Sequence, residues 1–180
     1  MRKFILNLLT ILAWIYQILC VLSVVMFGFL FVGMLIGRTN SDFRKGFLSA
    51  FNVHNVSFDQ IILFFEIQLI LMIIMSIAMF LVCRYGRLII KNIKHEVYFA
   101  INNLKLLRNL LISIAVYTVF SVIQYVMVIS HQAWLTPYTT NTMIYPGSIM
   151  NGLLFLAILY VVYLVFKYGM KVQEDADSII

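Results

Sequence analysis

Four long apolar runs, at about 4–36, 60–82, 105–130 and 147–167, constrain this chain more than any other feature. Each reaches the roughly 20 residues that carry an α-helix across a hydrocarbon core of about 30 Å. Hydrophobic residues make up 63% of the chain and charged ones 11%, against about a half and a quarter in a soluble domain. A water-soluble fold of 180 residues has no interior large enough for that surface. Lipid must solvate most of it. The sequence therefore predicts an all-α integral membrane four-helix bundle, one membrane domain over 1–180 with no separate soluble unit. The first run exceeds a bilayer by about ten residues, so it must tilt or project. Arg2 and Lys3 precede it as in a signal peptide. The run is much longer than the apolar core of such a peptide, roughly 7–15 residues, and is expected to stay as a helix.

The basic residues give the orientation. With the N-terminus inside, Arg2, Lys3, Arg84, Arg87, Lys91, Lys94, Lys105, Arg108, Lys167 and Lys171 fall in the cytoplasm, and Arg38, Arg44 and Lys45 outside. The connection 131–147 carries no Lys, Arg, Asp or Glu. Both termini are thus expected to be cytoplasmic. This asymmetry accounts for the pI of about 9.4 and gives no reason to expect direct binding of nucleic acid.

Enzyme chemistry finds no foothold. His54, His95 and His131 stand apart, with no pair at helical spacing and no Cys beside them, so no metal or other cofactor is expected. A Gly-rich phosphate loop and a nucleophile elbow are both missing. Cys20 lies near the middle of the first run and Cys83 at the inner end of the second, which places them about half a membrane apart in depth. They are expected to be packing residues.

Some polar residues interrupt the runs. Glu66 sits about six residues from the outer end of the second, Gln124 at a matching place in the third, and Asn151 a turn into the fourth. A carboxyl at that depth faces protein or trapped water. These three either share a pocket in the outer half, with Tyr145 and His131 nearby, or supply ordinary interhelical hydrogen bonds; Gln17 and Gln68 are similar. Gly33 and Gly37 have the small-xxx-small spacing of a close helix contact, within the bundle or between copies in a homo-oligomer. Phe43, Phe47, Leu48 and Phe51 recur at helical spacing, as in a short helix on the outer leaflet. Trp134, Tyr138 and Tyr145 suit the headgroup level.

The middle stretch Arg84–Arg108 holds six basic residues and one acid, Glu96. Ile90, Ile93, Val97, Ile101 and Leu104 recur at threes and fours, with Arg87, Lys91 and Lys94 on another side, so the stretch is expected to form an amphipathic basic helix in the cytoplasm. Its cations face anionic lipid headgroups or dock an acidic partner. The tail offers Glu174, Asp175 and Asp177 on the same side. Two internal echoes, Leu81–Gly86 with Leu164–Gly169 and Asn7–Ala13 with Asn109–Ala115, predict two helical hairpins in parallel repeat.

Phe99, Asn103, Leu107 and Arg108 at the entry to the third run, with Phe166-Lys167-Tyr168-Gly169, Glu174, Asp175, Asp177 and the terminal Ile179-Ile180, resemble a bacterial family of four-span membrane proteins, the domain of unknown function two-nine-seven-five. Ile179 replaces the family's Thr, and Tyr98 its small residue or Pro. The resemblance covers the second half clearly and the first by span pattern. It implies a bacterial cell-membrane location and no set activity. It also implies a gene neighbour, a small Cro/repressor-type helix-turn-helix regulator. On that reading Arg87, Lys91, Lys94, Phe99, Asn103, Leu107, Arg108, Gly169, Glu174, Asp175 and Asp177 form a partner-binding face, and the protein is regulatory.

Overall fold

The computed structural model describes residues 2–51, 57–96, 100–131 and 146–177. Among these are helices α1 (Arg2–Gly37), α2 (Ser41–Phe51), α3 (Phe58–Lys94), α4 (Ile101–Ser130) and α5 (Pro146–Asp177). Four are long and apolar enough to cross a membrane, and they pack as a bundle with α2 as a short connecting helix. The chain is a multi-span membrane protein by length and composition. Phe99, Val97, Trp134, Tyr138, Tyr145, Ile179 and Ile180 lie outside the described residues, as do the side chains of Phe51 and Asp177.

Inside the spans, hydroxyl groups bond to the preceding turn of their own helix. Thr10 donates to Leu6 O, Ser23 to Leu19 O, Ser113 to Asn109 O, Thr118 to Ile114 O and Ser121 to Tyr117 O. Polar residues can therefore sit in lipid-facing helices without an outside partner. The start of α3 is fixed by a capping box: Ser57 accepts from the Gln60 N–H while Gln60 accepts from the Ser57 N–H. Asp59 in the first turn suits the positive end of the helix dipole.

The extensive interfaces join α1 to α3, α3 to α4 and α4 to α5. Side-chain pairs give the directions. Thr10 meets Lys94 and Arg38 meets Asp59, so α1 and α3 are antiparallel. Asn92 meets Asn103 and Phe64 meets His131, so α3 and α4 are antiparallel too. Central α3 is the most enclosed span, with Phe58, Ile61, Ile62, Phe64, Leu69, Leu71 and Ala78 buried. The α4–α5 interface centres on Leu107, Leu110 and Ile114, with Leu156, Leu159, Val162, Tyr163 and Phe166 against them. By contrast α1 and α5 leave most large apolar side chains exposed, as helices at the margin of a bundle in lipid do. The N-terminus of α1, the α3–α4 corner and the C-terminus of α5 share one end, called here the terminal end. The α1–α2–α3 connection lies at the far end.

Two expectations are corrected and two are refined. The middle stretch is not one helix: α3 runs on through Lys94, the chain turns at His95 and Glu96, and α4 starts at Ile101. Glu96 has φ 62°, a left-handed backbone that breaks the helical stripe between Ile93 and Ile101. Cys20 and Cys83 are not half a membrane apart: α1 and α3 are antiparallel, with Arg87 over Trp14 and Cys20 beside Ile77 and Phe80, which sets the two cysteines at similar depth; both thiols are free. Within the bundle Gly33 has nothing within 4 Å of a Cβ among the described residues, and Gly37 takes the Phe43 ring, 2.8 Å from a Cβ there, so of the two alternatives the contact between copies is the one left to this pair. Finally, the short helix expected around Phe43–Phe51 is α2, and its Phe47 ring packs edge-on against Phe58 and Phe65 of α3, at 6.0 and 5.9 Å.

Candidate functional site

At the far end Arg38, just past α1, reaches two carboxylates of α3. Its Nη2 lies 3.4 Å from Asp59 and its Nη1 3.9 Å from Glu66. Glu66 is buried, and its Oε1 has no hydrogen-bond donor among the described residues. The Nε2 of Gln68, also buried, has no acceptor among them. Elsewhere at this end Phe64 stacks obliquely on His131 at 5.0 Å, and Arg44 lies over the Phe58 ring at 5.1 Å.

Gln124 belongs to another place. It lines a cleft of about 420 Å³ between α1 and α4 over α3, with Tyr16, Ser23, Ser76 and Tyr117 among its neighbours. Asn151 is exposed on α5. Its neighbour Gly152 lies against Thr118 of α4. The expected meeting of Glu66, Gln124 and Asn151 in one pocket does not occur: Glu66 joins Arg38 and Asp59, Gln124 the cleft, and Asn151 neither. Arg38 is the member that the sequence reading missed. Its place right after a span, opposite two acids of the next, was the signal available.

The terminal end sorts the proposed partner-binding residues into two kinds. Asn103 and Leu107 are buried, at 1% and 4% exposure. Asn103 accepts a hydrogen bond from the Asn92 amide, which ties the two sides of the corner, and Leu107 is in the α4–α5 core. Both are positioned to hold helices together inside the bundle. Lys94 donates to Thr10 at 2.9 Å and the Arg87 guanidinium lies 3.7 Å over the Trp14 ring, so both pin α3 to α1. Lys91, Lys105, Arg108, Lys167, Lys171, Glu174 and Asp175 are exposed. Gly169 is half-buried within α5. Among the described residues no three of His, Cys, Asp and Glu stand close enough to hold a metal ion.

No protein-family model matches the chain, and neither a curated protein nor a solved structure does.

Proposed function

We propose that this is a non-enzymatic membrane protein of the regulatory or interaction kind. Its terminal end lies in the cytoplasm and engages a soluble partner with an acidic surface, such as a helix-turn-helix transcription regulator. The observation that carries this reading is the set of exposed cations on three helices at one end. Lys91 of α3, Lys105 and Arg108 of α4, and Lys167 and Lys171 of α5 form no ion pair within 4.0 Å among the described residues. The excess of Lys and Arg at this end supports its cytoplasmic placement. From Arg84 onward α3 adds about 16 Å of charged helix, so these groups project past the hydrocarbon. Such a field steers an acidic partner and sets its register.

Crosslinking capture from native membranes tests the reading, comparing wild type with Lys91→Glu/Lys105→Glu/Lys171→Glu. A soluble DNA-binding protein held by wild type and lost in the variant is expected. A partner held equally by both overturns it.

A second reading rests on Glu66, whose buried Oε1, beside Arg38, has no donor among the described residues: a far-end site that senses a small ligand, an ion or lipid. A ligand- or pH-dependent response that is unchanged in Glu66→Gln removes it.

A further inference from the structure

A second groove lies between α1 and α3 toward the terminal end, about 450 Å³ in volume. Trp14, Arg84 and Arg87 stand at its polar end, with Gln17 beside them, and Ile18, Val21, Leu22 and Phe80 form its walls. Val21 and Phe80 also line an apolar trough of about 220 Å³ that continues the groove along Val24, Val25 and Ile77. From Trp14 to Val25 the two together extend about 16 Å along α1, close to the length of an acyl chain. Cationic donors thus cap one end of a long apolar slot that opens to lipid.

Two features of the polar end point to an anion, and a third to a hydrogen-bond donor carried beside it. Neither Arg84 nor Arg87 pairs with a carboxylate among the described residues. The Trp14 ring holds the Arg87 guanidinium by its face, which leaves the N–H donors at the guanidinium's edge for an acceptor. Gln17 is 97% buried, being 3% exposed, and its carbonyl oxygen has no donor among the described residues. An unpaired amide oxygen in lipid surroundings is costly and calls for a hydroxyl or ammonium partner. A lone inorganic anion would leave the slot empty, and a plain apolar chain would leave the arginines unmatched.

We propose that this α1–α3 groove binds one anionic phospholipid with a hydroxyl-bearing headgroup, phosphatidylglycerol in kind. Its phosphodiester accepts from Arg84 and Arg87, a headgroup hydroxyl donates to Gln17, and one acyl chain lies along Ile18, Val21, Phe80 and Ile77. The site is separate from the exposed lysines at the terminal end and does not depend on the partner proposed for them.

The test uses the full chain with Trp134→Phe, which leaves Trp14 as the sole tryptophan, reconstituted in phosphatidylcholine vesicles. Brominated phosphatidylglycerol at about 10 mol% should quench Trp14 about fivefold more strongly than brominated phosphatidylcholine at the same level. Arg84→Gln/Arg87→Gln should abolish the preference. Ile18→Phe/Val21→Phe fills the slot and keeps both arginines, and should also abolish it. Equal quenching by the two lipids in the parent chain overturns the proposal. A preference that survives slot filling shows diffuse attraction to the surface and overturns it too, as does displacement of the lipid by inorganic phosphate alone.

Discussion

Single residues at the two ends do different work. At the far end a buried carboxylate depends on one arginine for its charge balance. Removing one partner of such a pair leaves the other charge uncompensated, whereas neutralising the buried member does not. Arg38→Ala should therefore cost more than Glu66→Gln, about 1–3 kcal/mol against less than about 1. Thermal unfolding of the two variants in detergent, side by side, checks the order. At the terminal end Asn103 is nearly inaccessible and bonded to Asn92. Asn103→Ala strands the Asn92 amide and should destabilise by about 1–3 kcal/mol. Asn92→Ala added to it should cost little more, the non-additivity that marks a shared bond. If the two losses simply add, the bond does not join the corner.

At the scale of elements, the spans were plain in the sequence and their ends were not. Apolar run length alone placed all four, because lipid demands continuous helix and about 20 residues of it. The stripe from Ile90 to Leu104 misled, since it has helical spacing on either side of a turn. Glu96, with its left-handed φ, makes that turn, and Glu gives no local signal for such a conformation as Gly would. Glu96→Gly should accordingly stabilise the corner by about 1 kcal/mol, seen as a raised melting temperature; a lowered one would mean that the Glu96 side chain matters more than the backbone. The polar residues were legible as anomalies, but their grouping was not. Which of Glu66, Gln124 and Asn151 share a site depends on helix rotation and stagger, and Asn151 lies on an exposed face of α5. Cys20 and Cys83 show the same limit: depth estimated from run ends failed, and antiparallel register sets them at similar depth.

At the scale of the molecule, the chain is a bundle with α3 inside and marginal helices α1 and α5 turned to lipid, its charges gathered at the two ends. The proposed function needs the terminal end to stand in water on the cytoplasmic side. The most direct test replaces Lys91, Lys105 and Lys171 singly by cysteine in a Cys20→Ala/Cys83→Ala background, with Asp42→Cys as the far-end marker. A membrane-impermeant maleimide is then applied to sealed vesicles of each orientation. The account predicts that the three terminal-end cysteines react only when the cytoplasmic face is outward, and Asp42→Cys only when it is inward. Terminal-end cysteines that stay protected in both orientations, or that react from the opposite face, would contradict it.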